Sequence, residues 1–210
     1  MKHLVLLGDS IFDNAAYVAG APAVIDQVRN FLPGGWKATL LAVDGNVTAG
    51  VRKQVERMPG DATHLVMSVG GNDALGALPQ LHSPIPLTML QALAVLAELQ
   101  QTFASEYAQS LKLLCDSGTP LVCCTIYDQV PGLTNELRTA LSLFNDVILR
   151  ECARLHIPVL DLRALCTEAL DYSAISPIEP SNSGGQKIAA RIVSIVTDET
   201  FEFRQCQVYA

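Results

Sequence analysis

The sequence is poor in charge, in aromatic side chains and in histidine, and each scarcity closes off a class of function. Of its 210 residues, 17% are charged and 6% aromatic, whereas 50% are hydrophobic. A chain this apolar buries a sizeable core and is not disordered. Its 14 Lys and Arg are outnumbered by 21 Asp and Glu, for a net charge of −7. The basic residues are scattered, which argues against nucleic acid as a partner. No apolar run reaches the roughly 20 residues that cross a membrane as a helix. There are four histidines, none paired with another, and no Cys-x-x-Cys. Neither a metal nor another cofactor is therefore expected.

The six cysteines do not read as a disulfide framework. Cys123 and Cys124 are adjacent inside an apolar run, and Cys115, Cys152 and Cys166 have helix-like or apolar neighbours. Buried free thiols in a reducing compartment are expected. Cys206 has no evident place. At the start, one Lys and a few apolar residues run into Gly8-Asp9-Ser10 instead of a small-residue cleavage site. The expectation is a soluble, cytoplasmic protein.

What is present alternates. Leu4–Leu7 is a short Val/Leu run of the kind buried on both faces of a sheet. Further strands are read at 36–43, 64–69, 121–126 and 158–162. Helical spacing occupies 22–31, 48–58, 88–115, 134–155 and 183–196, and the connections carry Pro and Gly. Residues 166–181 read as looser, and 201–209 as a tail with room for an added edge strand. Five strand–helix alternations predict a three-layer α/β/α sandwich around a five-stranded parallel sheet. With no repeat or linker, residues 1–210 read as one domain. The Leu/Ala-rich run from Leu87 to Leu99 reads as a core-facing helix rather than a lid. Its apolar surplus leaves room for a homo-oligomer surface.

Three strand ends carry the same chemistry: Gly8-Asp9-Ser10, Asp44-Gly45-Asn46 and Gly70-Gly71-Asn72-Asp73. In open parallel sheets the carboxyl ends of the strands border the ligand crevice. Acyl transfer needs a hydroxyl nucleophile and donors aimed at a developing oxyanion. Ser10 supplies a hydroxyl; its own N–H, the N–H of Gly45 and the Asn72 amide supply donors. Each segment alone also reads as an ordinary turn or helix cap. The three together point to a site.

These blocks resemble the SGNH hydrolase superfamily, the GDSL-type esterases and lipases. The resemblance covers nearly the whole chain, including Val159-Leu160-Asp161-Leu162. It implies a flavodoxin-like fold, hydrolysis of small acyl or acetyl esters, Ser10 as nucleophile, and Gly45 and Asn72 as oxyanion donors. The family's last block reads Asp-x-x-His-Pro-Ser, with a Gly and a helix following. Here the stretch is Ser176-Pro177-Ile178-Glu179-Pro180-Ser181. Glu179 stands at the histidine position and Ser176 at that of the aspartate, so the histidine–aspartate pair does not carry over.

The base is therefore open. An ordinary glutamate, with a pKa of about 4.3, accepts a serine proton poorly. Burial in an apolar site can raise it to about 6–7, where general-base work becomes effective. Otherwise Glu179 caps the last helix or pairs with a cation. His3, His64 and His156 fall on the opposite edge of the sheet from Ser10. His82 lies on the correct side, where Glu179 would orient it, and joins Asp9 and Asp73 as a substrate-binding candidate. Asp9 and Asp13 are expected to brace the serine loop. The alternative to an esterase is a weak or inactive relative that binds an acylated or sugar ligand.

Overall fold

The computed structural model describes residues 1–198 and 205–209. Six parallel strands form one sheet in the order β2-β1-β3-β4-β5-β6. They are β1 (Lys2–Gly8), β2 (Trp36–Leu40), β3 (His64–Ser68), β4 (Leu121–Cys124), β5 (Val159–Leu160) and β6 (Val208–Tyr209). The sheet thus has six strands instead of the expected five. The tail supplies the sixth, a two-residue edge paired with β5; residues 201–204 of that tail lie outside the described residues.

The helices are α1 (Val24–Phe31), α2 (Val51–Val55), α3 (Gly71–Gly76), α4 (Leu78–Leu81), α5 (Met89–Cys115), α6 (Asn135–Arg154), α7 (Leu162–Leu165) and α8 (Asn182–Thr197). Successive side chains of a strand point to opposite faces, and β1 shows the consequence. Leu4 and Leu6 enter the core that holds Val24 and Val28 of α1 and Ile188 and Ile192 of α8. Val5 and Leu7 enter the other, with Leu111 of α5 and Ile148 of α6. A strand covered on both sides must be apolar throughout, and this one is.

Several boundaries shift for local reasons. β2 stops at Leu40, because the N–H groups of Leu41 and Ala42 both reach the Leu6 carbonyl and end the regular ladder. The expected helix 48–58 shortens to a 3-10 turn at Thr48–Gly50 followed by α2. The Gly-Gly-Asn-Asp segment opens α3. β5 shrinks to two residues because Asp161 already caps α7, accepting from the Arg163 N–H.

The reading of 87–99 as core-facing fails at its start. Met89 and Leu90 are 78% and 77% exposed, and the fully covered positions of α5 begin at Phe103. The helix overhangs the body there, since α6 packs against its later turns. Cys115, expected to be buried, is exposed as well. Among the described residues, no helix is long and apolar enough to cross a membrane.

The topology fixes the crevice. From β1 the chain moves outward to β2, then crosses to β3 on the other side of β1. The loops after β1 and β3 therefore diverge and leave a gap at the carboxyl edge, the switch point at which such sheets bind ligands.

Candidate active site

Gly8 ends β1 in a conformation no other residue fits. Its φ is +126°, and a Cβ added there would lie 1.7 Å from the Ser68 carbonyl oxygen of β3. The Gln54 side chain accepts from the Gly8 N–H at 2.8 Å and donates to its carbonyl at 2.7 Å. Asn46 Nδ2 donates to the same carbonyl at 3.2 Å. With the strand end pinned on both polar groups, the turn carrying Ser10 starts from a rigid base.

Ser10 Oγ donates to Glu179 Oε1 at 3.0 Å, across 169 positions of sequence. That contact is within the range of a nucleophile and its base. Glu179 is only 5% exposed, and its Oε2 has no hydrogen-bond partner among the described residues. Burial pushes the carboxyl up to about 7; the Ser10 hydrogen bond pulls it down, and the Asp44 charge adds to the rise. Its ordinary value is 4.5. The desolvation that the sequence left undecided is thus present. Glu179 neither caps α8, whose N-cap is Ser181, nor pairs with a cation among the described residues.

Glu179 is held by its backbone. The Glu179 N–H donates to the Ser176 carbonyl at 3.0 Å, and its carbonyl accepts from the Ser173 N–H at 2.8 Å. On either side, the Tyr127 hydroxyl donates to the Ile178 carbonyl at 2.7 Å, and Asn14 Nδ2 donates to the Pro180 carbonyl at 3.1 Å. Asn14 Oδ1 accepts from the Val24 N–H, so one buried amide ties the serine loop, α1 and the Glu179 loop together. In place of an aspartate that orients a side chain, main-chain clamps orient the loop. Sequence reasoning missed Asn14 and Tyr127. The available signal was Tyr127's position at the carboxyl end of β4; Asn14 carried none, being one more polar residue in a turn.

Tyr127→Phe is therefore expected to lower kcat about fivefold, one hydrogen bond's worth of about 1 kcal/mol, with KM nearly unchanged. Water admitted to the loosened loop should also move the acidic limb of the pH–rate profile downward. Steady-state kinetics across pH checks both, and an unchanged kcat and profile would remove Tyr127 from this positioning role.

Asn72 lines the same cavity as Ser10 and Glu179. One hydrogen of its amide goes to the Asn46 carbonyl at 2.9 Å, leaving the other. The N–H groups of Ser10 and Gly45 have no protein acceptor among the described residues. Gly45 itself sits at φ +74° in an exposed turn outside the cavity lining. Asp13 Oδ2 secures that turn through the Asp44 N–H at 2.9 Å.

The three substrate-binding candidates have other placements. Asp9 is buried, its Oδ1 accepts from the Ile11 N–H, and burial raises it to about 8. It braces the serine turn as a largely neutral acid. Asp73 accepts from the N–H and the hydroxyl of Thr48, tying α3 to the turn before α2. His82 is exposed at the end of α4, with Nδ1 2.9 Å from the Leu78 carbonyl, and it does not line the cavity. It is not placed between Ser10 and Glu179, which touch directly. His3 is engaged by Asp61 and Thr39 at the far edge. Among the described residues, no group of His, Cys, Asp and Glu is gathered to hold a metal.

The cavity has a volume of about 150 Å³. Ser10, Asn72 and Glu179 share its lining with Leu78 and Leu81 of α4 and with Leu137, Leu141 and Phe144 of α6. A carboxylate and a hydroxyl thus stand in a mostly hydrocarbon wall, which is why the carboxyl holds its proton so tightly.

Residues 6–186 match the model of the GDSL-like lipase/acylhydrolase family. No curated protein sequence matches the chain. Among solved structures, a lipase from a goat rumen metagenome is similar at TM-score 0.72 and 17% identity, over 96% of this chain and 100% of that one. An acetyl xylan esterase is similar at TM-score 0.69 and 15% identity, over 92% and 99%. The phospholipase A1 of Streptomyces albidoflavus follows at 0.64 and 16%, over 92% and 98%. At these identities the likeness is one of fold.

Proposed function

Because the chain belongs to the GDSL-like lipase/acylhydrolase family, we propose that it is a single-domain ester hydrolase in which Ser10 is the nucleophile and Glu179 the general base. The observation that carries this is the 3.0 Å hydrogen bond from Ser10 Oγ to a carboxylate whose pKa burial raises to about 7. A base of that strength is comparable to the histidine it replaces.

Ser10 Oγ attacks the ester carbonyl carbon while its proton passes to Glu179. The tetrahedral oxyanion is met by the Ser10 N–H and the remaining hydrogen of the Asn72 amide, while Gly45, outside the cavity lining, makes no contact with it. Collapse breaks the bond to the alcohol oxygen, which leaves with the proton from Glu179. Water then attacks the acyl-serine, giving a proton to Glu179 that returns to Ser10 as the acid departs.

One difference from a histidine base follows from charge. A neutral imidazole becomes a cation beside the oxyanion, whereas a carboxylate becomes neutral. The oxyanion here gains no counter-charge and depends on its donors alone, so turnover is expected to be slow. Glu179→His alone should nonetheless not accelerate it, because Ser176 offers no carboxylate to orient an imidazole.

The test is covalent labelling with a fluorophosphonate, together with hydrolysis of a hexanoyl aryl ester by wild type and Ser10→Ala. Labelling at Ser10 and activity that vanish in the variant are expected. Absence of both in the wild type from pH 6 to 9 would overturn the enzyme and favour the reading as a ligand-binding relative.

A further inference from the structure

A cavity walled by hydrocarbon is costly to fill with water, because each water needs two to four polar partners. Only five polar side chains line this one: Ser10, Ser68, Asn72, Tyr127 and Glu179. Tyr127 has its hydroxyl committed to Ile178, and Ser10 is committed to Glu179. The wall opposite is made by α4 and α6, and the segment from Ala74 to Ala97 that includes α4 holds no Asp, Glu, Lys or Arg. The residues of those helices that line the cavity, Leu78, Leu81, Leu137, Ala140, Leu141 and Phe144, are all hydrocarbon, so none of them can hydrogen-bond a sugar hydroxyl or pair with a charged group.

Size sets the occupant. Apolar cavities of about 150 Å³ take up a benzene-sized body, about six carbons; the cavity here has that volume. Its lining includes Ser10 and Asn72, beside which an ester carbonyl would sit, together with Leu137, Ala140 and Phe144 of α6. We propose that this cavity is an acyl-chain pocket that selects a straight chain of about six to eight carbons over acetyl. The proposal rests on the reading of Ser10 as the group that attacks the ester. It also narrows that reading: the small acyl or acetyl esters expected from the sequence give way to medium-chain esters.

Two consequences are measurable. Each methylene moved from water into such a pocket is worth roughly fourfold in kcat/KM, so hexanoyl, with four more methylenes, should exceed acetyl by about two-hundredfold. An acyl chain seated in the cavity also shields Glu179 further from solvent. The acidic limb of kcat, which reports the occupied enzyme, should then lie above that of kcat/KM for hexanoyl esters, and the two should coincide for acetyl.

The experiment measures kcat/KM for p-nitrophenyl esters from acetyl to dodecanoyl. It compares wild type, Ala140→Leu, which places three more carbons in the pocket, and Leu78→Ala, which enlarges it from the half-buried side. The optimum is expected at six to eight carbons in wild type, shorter in Ala140→Leu and longer in Leu78→Ala. Binding of sodium acetate, hexanoate and octanoate to Ser10→Ala is measured in parallel by calorimetry. Hexanoate or octanoate bound in preference to acetate supports the pocket even if no ester is turned over, which would sink the hydrolase reading alone. A wild-type optimum at acetyl, or no preference among the three acids, overturns the pocket while leaving the hydrolase intact. If Ala140→Leu fails to fold, the Leu78→Ala series and the binding data still decide.

Discussion

Glu179→Gln should lower kcat/KM for a hexanoyl ester by about 10³–10⁴ while making the protein more stable above pH 7. The amide has the same size and can still accept the Ser10 hydroxyl, so the site keeps its shape. What it loses is the ability to take a proton. Combining it with Ser10→Ala should cost little beyond either change alone, since the two groups perform one step. In wild type, activity should rise with pH through about 7, as Glu179 loses its proton and becomes a base.

The stability half follows from the same shift with its sign worked out. The folded protein holds the Glu179 proton up to about 7, against 4.5 ordinarily. That contribution to stability is complete below about pH 4.5 and is lost as pH rises through 7, because the ionised form is desolvated in the fold. At pH 8 the penalty is on the order of 3 kcal/mol or less. Glutamine is neutral throughout, so the variant should gain about 1–3 kcal/mol at pH 8, roughly 2–10 °C in Tm, and little at pH 4.5. Asp9, also raised by burial, to about 8, is present in both proteins and largely cancels. Thermal melts at the two pH values decide it. A variant no more stable than wild type at pH 8, with a wild-type pH profile flat between 6 and 8, would mean that Glu179 is not the strained base described here.

Gly8→Ala should be the most damaging single methyl in the chain, costing about 3–5 kcal/mol and leaving little soluble protein. The added carbon would sit 1.7 Å from the Ser68 carbonyl oxygen. Relief requires β1 and β3 to separate where both are fully buried, and moves Gly8 away from Gln54. Gly45→Ala is the control. Its φ of +74° is also unfavourable, yet nothing lies within 4 Å of the new carbon. It should cost about 1–2 kcal/mol and fold. Denaturant unfolding compares the two, and a Gly8→Ala protein as stable as Gly45→Ala would contradict the packing of β1 on β3.

The relation between sequence and structure is clearest at these positions. Strand and helix periodicity made the parallel sheet legible, and the resemblance of its strand-end blocks pointed to Ser10 and Asn72 on one edge. Short elements were less legible: β5 and β6 have two residues each, and their identity comes from pairing partners rather than from any pattern of their own. The same holds for the start of α5, where the apolar side chains of Met89 and Leu90 stay exposed.

Residue type and order were enough to determine the alternating fold, the family and the carboxyl-edge position of the candidate nucleophile, because these depend on local periodicity and short motifs. Whether Glu179 can serve as a base depended on what surrounds it. Its contact with Ser10, its unpaired second oxygen, the clamps from Asn14 and Tyr127, and the hydrocarbon wall from α4 and α6 all join residues distant in sequence. A carboxyl group's proton affinity is set by solvation and neighbouring charge, and only the tertiary structure decides those.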